Sequence, residues 1–267
     1  ILRVLKTSDP ELAEAFPAIS TVGDLFRRHG LVQPRRRRKI PSHEGAGALR
    51  ADAPNEVWTA DYKGEFRLAH GPYCYPFTLM DACSRYLLCC QGQASTSLQG
   101  TREALRSAFR RFGLPQAIRT DNGTPFVGHG QSGLSQLGVW WIKLGIRHQR
   151  IARGRPDQNG RHERMHRTLK AETTRPPGES FATQQERFDA FCVEFNQVRP
   201  HEALDDRTPE SAYEASHRPF PEKLPAPEYP AYYEVRKVDR NGHFKFRGRS
   251  LFLAQPMAYE QVGLFET

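Results

Sequence analysis

The stretch Ile118-Arg119-Thr120-Asp121-Asn122-Gly123-Thr124-Pro125-Phe126 constrains this chain more than any other. Apolar and extended-biased residues lead into a single carboxylate, and Asn-Gly follows at once. Asn and Gly tolerate positive φ, so the chain can turn sharply and leave Asp121 at the end of a buried strand. In open α/β sheets the chemistry gathers outside the carboxyl ends of the strands. An Asx-type turn with an exposed Asp would use the same residues, so the stretch acquires meaning only from the other acids in the chain.

Two such acids stand out. Residues 57–66 read as a strand rich in Trp and Tyr, interrupted by Asp61. A carboxylate there is costly to bury unless it is paired or bound to a cation. Glu163 lies in a predicted helix that a flexible basic loop, residues 153–160, precedes, with Asn159 or Asp157 as its cap. Nine Lys or Arg fall between residues 143 and 170, against two acids, Asp157 and Glu163. A lone Glu among so many cations is a sharper signal than one in an average helix. Asp81, in the turn Asp81-Ala82-Cys83-Ser84-Arg85, reads instead as a turn former between strands 73–82 and 85–95.

The rest of the pattern supplies a scaffold. A helix is expected over 97–112, with Leu98, Leu105, Ala108, Phe109 and Phe112 on one face. A strand over 116–121, a helix near 134–144 with Trp140 and Trp141, and a strand over 146–151 follow. A helix over 181–198 carries Phe181, Phe188, Phe191, Cys192 and Phe195 at helical spacing, as core packing demands. This order builds an α/β fold: a mixed five-stranded sheet flanked by helices, with Asp61 on a central strand, Asp121 ending its neighbour and Glu163 on a helix beside them.

The chain divides into five expected parts: a helical segment 1–34, a basic arm and linker 35–55, a core 56–215, a Pro-rich linker 216–230 and a small β-barrel-like domain 231–267. In the first part, residues 20–32 suggest a short helix capped by Ser20 or Thr21 and ended by Gly30. Arg35, Arg36, Arg37, Arg38 and Lys39 form a run that repels itself and seeks phosphates. In the last part, Asn241-Gly242 is a strong hairpin turn.

Over 267 residues, 39 Lys and Arg outweigh 30 Asp and Glu, a formal net charge of +9. That balance favours a polyanionic partner, most often nucleic acid. No stretch approaches the roughly 18 uncharged apolar residues of a membrane span. The five cysteines form no C-x-x-C pair, which suggests free thiols in a reducing compartment. A chain that begins at Ile1 is expected to be a piece of a longer protein.

Three carboxylates gathered at one point repel one another unless divalent cations neutralise them. Hard oxygen ligands suit Mg2+ or Mn2+, and two such ions can activate a hydroxyl nucleophile and stabilise the leaving oxygen of an in-line phosphoryl displacement. A different chemistry is written in the same helix: His162-Glu163-Arg164-Met165-His166 matches H-E-x-x-H, a zinc metallopeptidase signature with Glu163 as general base. No third ligand is obvious downstream.

Taken together, Trp58-Thr59-Ala60-Asp61, Thr120-Asp121-Asn122-Gly123-Thr124-Pro125-Phe126 and Asn159-Gly160-Arg161-His162-Glu163 through Arg167 resemble the catalytic core of retroviral-type integrases and DDE insertion-sequence transposases, nearest the IS481-like and IS3-like groups. Asn196-Gln197-Val198-Arg199-Pro200-His201, with Thr208-Pro209 after it, resembles the segment that follows the core in those transposases. The resemblance covers residues 20–265. It implies a ribonuclease-H-like core, an N-terminal helix-turn-helix-like DNA-binding remnant and two Mg2+ ions, with Mn2+ able to substitute. It also implies cleavage of transposon-end DNA followed by strand transfer of the 3′-OH into target DNA. Asp61, Asp121 and Glu163 take the catalytic and metal-ligand roles. One departure is that 41 residues separate Asp121 from Glu163, more than is usual in the family; the Gly-rich loop 128–138 is the natural place for the surplus.

The implied partners are DNA, both transposon ends and target, and other copies of the chain, at least a dimer on DNA, without a membrane, in a bacterial cytoplasm at the nucleoid. Asn159, Arg167 and Lys170 share the helical face of Glu163, and the family resemblance places Arg167 and Lys170 against end DNA. Arg153 and Arg155 join them as DNA contacts, as do Arg35, Arg36, Arg37 and Arg38. Arg164 lies about 100° round the helix from Glu163 and is expected to matter less. A DNA-binding protein that has lost catalysis is the alternative reading, and the zinc metallopeptidase a further one.

Overall fold

The computed structural model describes residues 17–32, 51–128, 130, 132–152, 160–224 and 226–265. Its centre is a mixed sheet in the order β4-β3-β1-β5-β6, built from β1 (Val57–Tyr62), β3 (Tyr73–Asp81), β4 (Leu87–Gln93), β5 (Ala117–Thr120) and β6 (Arg147–Arg150). Strand β3 runs antiparallel to both β1 and β4, while β1, β5 and β6 are parallel. Residues 57–66, expected as one strand, break after Tyr62. The chain resumes as a two-residue strand β2 (Phe66–Arg67) against the start of β3, because Lys63-Gly64-Glu65 interrupts the apolar run.

Strand alternation sends successive side chains to opposite faces, and the two cores follow from it. Trp58 and Ala60 of β1, Phe77 and Leu79 of β3 and Ile118 of β5 pack under α2 (Leu98–Phe112) and α3 (Gln136–Lys143). Met80, Leu87 and Cys90 pack on the other face, under α4 (Gly160–Thr173) and α5 (Phe181–Val193), with Met165, Leu169, Phe188 and Phe191. Thr59 and Asp61 therefore face α4, not α2. Helix α2 is capped by the Ser97 hydroxyl, which accepts the Gly100 N–H. It stops at Gly113, at φ +75, where a Cβ would lie 2.6 Å from the Ser216 carbonyl oxygen.

The helix expected over 181–198 ends as α-helix at Val193 and continues as a π-helical turn, Glu194–Val198. That turn aims Asn196 at the edge strand: its Oδ1 accepts the Leu87 N–H at 2.8 Å and its Nδ2 donates to the Leu87 carbonyl at 3.0 Å. Beyond the core, the first half of the Pro-rich stretch 216–230 lies against the sheet layer. The Arg218 guanidinium donates to the carbonyls of Pro115 and Leu144, and Phe220 packs on Phe109 and Trp140.

The C-terminal segment forms two two-stranded sheets. Strand β7 (Glu234–Lys237) pairs with β10 (Gln261–Leu264), and β8 (His243–Phe246) pairs with β9 (Arg249–Phe252). No pairing among the described residues closes them into a barrel. Asn241-Gly242 turns the chain between β7 and β8, which do not pair; the hairpin turn is Arg247-Gly248, at φ +49 and +73. A salt bridge of 2.8 Å from Lys143 of α3 to Glu260 joins this segment to the core.

Near the N-terminus, α1 (Ile19–Arg28) starts at Ala18 without a side-chain cap, so Ser20 and Thr21 lie inside its first turn. None of its residues is buried. No helix among the described residues is long and apolar enough to cross a membrane.

Candidate active site

Asp61 and Thr78 are register partners on β1 and β3, so both side chains stand on the face that α4 covers. Asp61 is near the carboxyl end of β1, and Asp121 follows the last residue of the parallel neighbour β5. The two strands thus deliver their acids to the same end of the sheet. At Asp121 the turn is built as the Asn-Gly pair suggested. Its Oδ1 accepts the Gly123 N–H at 3.0 Å, and the Asn122 amide donates to the Ile151 carbonyl at 2.9 Å, tying the turn to the end of β6. A Cβ on Gly123 would meet both Asp121 carboxylate oxygens, at 3.1 and 3.2 Å, so glycine lets the backbone close around the acid.

The side chain of Asp61 is only 18 % exposed. Burial raises its carboxyl from the ordinary 3.8 to about 7; Asp121 adds to the rise, and so, more weakly, does Glu163, against the opposing pull of the Tyr62 N–H and Lys63. Asp121 and Glu163 therefore both lie within electrostatic reach of Asp61, whose side chain is largely shielded from water. Glu163 is exposed on α4, and Arg167 and Lys170 share its side of that helix, also exposed. Asn159, Arg153, Arg155 and Arg35 to Arg38 lie outside the described residues.

The histidines of the H-E-x-x-H sequence face inward. His162 and His166 are both buried. Nε2 of each lies 2.6 Å from the Thr78 hydroxyl, and Nδ1 of His162 lies 2.8 Å from the Thr59 hydroxyl. Burial pushes His162 down to about 3 and pushes His166 well below the usual imidazole range, helped by His162 and Lys63. Both are neutral at physiological pH. His166 Nδ1 is 3.9 Å from Asp61 Oδ2, so Asp61, His162 and His166 present ligand-type atoms within 4.8 Å of one another. Glu163 projects to a different side of the helix and is exposed where both histidines are buried. Both imidazoles contact strand threonines, Thr59 and Thr78, inside the protein.

This network was missed at the level of sequence, where the two histidines had meaning only as a zinc signature. The signal that could have found it is the pairing of Asp61 with Thr78, one strand apart on the same face. Asp81, by contrast, is a structural turn residue, as expected: it is fully buried and accepts the backbone N–H groups of Asn55, Cys83 and Ser84.

Residues 51–156 match the integrase core domain family, and residues 144–209 match a second integrase core domain model. The chain is 29 % identical to an insertion element IS407 protein of Burkholderia multivorans over 73 % of its own length and 68 % of that protein. It is 35 % identical to the Gag-Pol polyprotein of avian reticuloendotheliosis virus over 46 % of its length; this match takes up 10 % of the polyprotein. The simian T-cell lymphotropic virus intasome shares its fold at a TM-score of 0.52 and 18 % identity, over 79 % of this chain and 70 % of that one. The two core-domain matches run through the sheet, the Asp121 turn and α4 into the Asn196–His201 segment, and the chain belongs to the retroviral-type integrase and insertion-sequence transposase family.

Proposed function

We propose that this chain is a DDE transposase that cleaves transposon-end DNA and joins the freed 3′-OH to target DNA. The observation that carries the reading is the Asp61 carboxyl, raised to about 7 by burial and by Asp121 and Glu163. Such a cluster is unfavourable in an empty pocket and favourable around hard divalent cations, which its all-oxygen donor set fits. Two Mg2+ ions, or Mn2+, held by Asp61, Asp121 and Glu163 would supply activation of the attacking oxygen and stabilisation of the leaving one.

The residues of the chain do the rest. Asp61 gives up its proton when the site is loaded, and the Gly123 N–H holds one Asp121 oxygen so that the other is presented. Arg167 and Lys170 align the flanking DNA backbone along the face of Glu163. The basic run Arg35 to Arg38 and the loop with Arg153, Arg155 and Asn159 add phosphate contacts. The helical segment 1–34 and the β segment 231–267, on either side of a core 56–215, extend the hold on DNA. The active form is a multimer, at least a dimer, that brings two ends together.

Strand transfer from a pre-cleaved end duplex tests this. Wild type joins DNA in Mg2+ or Mn2+; Asp61→Asn, Asp121→Asn and Glu163→Gln bind DNA but do not join it. A wild-type protein that binds end DNA and never joins it is the inactive binder instead. Activity that survives an Asp61 or Asp121 substitution overturns the reading.

A further inference from the structure

Helix α4 has three sides, set by its rotation of about 100° per residue. His162, Met165, His166 and Leu169 point into the core. Glu163, Arg167 and Lys170 lie on one flank. Arg161, Arg164 and Thr168 lie on the other, where they line a cleft of about 610 Å3. The opposite wall is the β3–β4 turn with Arg85 and the segment Arg199 to Ala203; Met80, Met165 and Phe195 form an apolar floor.

The cations of this cleft are poorly matched. The guanidinium groups of Arg85 and Arg161 both donate to the carbonyl of Ala82, which brings two positive charges onto one oxygen. Burial, then Arg161, lowers Arg85 to about 10 against the opposing pull of Cys83 and Asp81, with Arg164 adding weakly to the drop. Among the described residues no carboxylate stands within ion-pair reach of Arg85, Arg161 or Arg164. Arg199 is different: Glu172 and Glu194 both hold it at 2.9 Å. Among the described residues Glu202 is the one acid lining the cleft. His201 is pushed toward its neutral form by burial and by Arg199 and Arg85, and its Nε2 is buried without a hydrogen-bond partner in the described structure.

We propose that this cleft is a second phosphate site, which takes a backbone phosphodiester of DNA. Guanidinium forks match phosphate oxygens in pairs, and the apolar floor suits the deoxyribose that accompanies a backbone phosphate. A free phosphate ion would fill little of the volume. Arg164 and Arg161 lie about 100° and about 160° round α4 from Glu163, so the phosphate held here is not the scissile one. It belongs to a different part of the bound DNA. The inference rests on DNA being the substrate.

The test uses the whole chain with metal chelated, so that binding is read without chemistry. Duplex binding is titrated with salt for wild type, Arg85→Gln, Arg161→Gln and Arg164→Gln, with Arg106→Gln on the exposed side of α2 as control and thermal melts to verify folding. The slope of log affinity against log salt should fall for each cleft variant, by no more than about 0.9, one phosphate's worth, and stay unchanged for Arg106→Gln. Single neutral methylphosphonates are then walked along the duplex. One position should weaken wild type and leave the Arg161→Gln/Arg164→Gln double variant unaffected. Finding it only on end duplexes assigns the cleft to end DNA; finding it on unrelated duplexes assigns it to target DNA. Equal slopes, or no such position on either, overturn the proposal. Strand transfer measured alongside separates the two readings: wild type that joins DNA while the slopes agree sinks the cleft alone, and falling slopes without any joining sink the transposase reading while the cleft stands.

Discussion

Nδ1 of His166 lies 3.9 Å from Oδ2 of Asp61, while Nε2 of the same ring lies 2.6 Å from the Thr78 hydroxyl. Proton arithmetic makes this relationship directional. Thr78 has one hydroxyl proton, and the Asp61 backbone carbonyl accepts it at 3.1 Å. Its two lone pairs then accept one N–H each from His162 and His166, both neutral. That tautomer leaves His166 Nδ1 bare and facing Asp61, so it can accept from a protonated Asp61 or from water at the carboxylate.

Thr78→Val keeps the shape of the side chain and removes the shared acceptor. Two buried imidazole N–H groups lose their partner, which should cost about 2–4 kcal/mol of stability. The proposed Asp61 ligand loses its fixed neighbour at the same time. Mn2+ titration of the folded variant should show several-fold weaker binding, whereas Thr59→Val, whose hydroxyl contacts His162 and the Met80 carbonyl, should lower the melting temperature and leave Mn2+ affinity near wild type. Equal Mn2+ affinity in Thr78→Val and wild type would confine the network to a role in stability.

The raised Asp61 carboxyl fixes the sign of a pH effect in the metal-free protein. Unfolded Asp61 ionises near 3.8 and folded Asp61 near 7, so between these values the folded state holds the extra proton. Stability contributed by this group is therefore lost as pH climbs from about 4 to about 7. The buried histidines act oppositely, since their folded values are depressed; what they contribute is present above the ordinary imidazole value and lost as pH falls. Subtracting an Asp61→Asn profile, measured by urea unfolding with chelator, removes the histidine contribution. The difference should favour wild type at pH 4–5 and shrink toward pH 7. Mg2+ affinity should rise over the same interval and level off above it.

Asn196 supplies a stability prediction away from the acids. Its amide closes both the N–H and the carbonyl of Leu87, at 2.8 and 3.0 Å, in a buried position. Asn196→Leu leaves both backbone groups unsatisfied, and a loss of about 2–4 kcal/mol should follow from two such groups. Chemical denaturation should show the lower midpoint with an unchanged slope.

The acids were readable in the sequence because each breaks its local pattern. Asp121 ends an apolar strand before Asn-Gly, Asp61 interrupts an aromatic strand, and Glu163 stands alone among cations. What the two Asp share, one end of one sheet, follows from β1 and β5 being parallel neighbours. The histidine pair was legible as residues but not as a network, because its partners Thr59 and Thr78 are ordinary strand residues until register sets them under α4. Arg85 was hidden in the same way, as one more residue of a hairpin turn. The C-terminal strands resisted for another reason: Arg249–Phe252 is exposed throughout, and a strand without a buried face specifies its register weakly.

The flank of α4 that carries Glu163 leads to the last prediction. Glu163, Arg167 and Lys170 recur at i, i+4 and i+7, so a phosphate near the Glu163 carboxylate has a neighbour near each cation in turn. Arg167 and Lys170 are exposed and make no ion pair among the described residues, which leaves them available for DNA. Arg167→Ala and Lys170→Ala should each weaken end-DNA binding and reduce its salt slope by about one phosphate. They should also slow strand transfer, because the backbone they hold continues into the proposed metal site. Glu163→Gln should leave the slope unchanged or steepen it, since it removes a negative charge beside the path. Slopes identical to wild type for both Arg167→Ala and Lys170→Ala would mean that DNA does not run along this face.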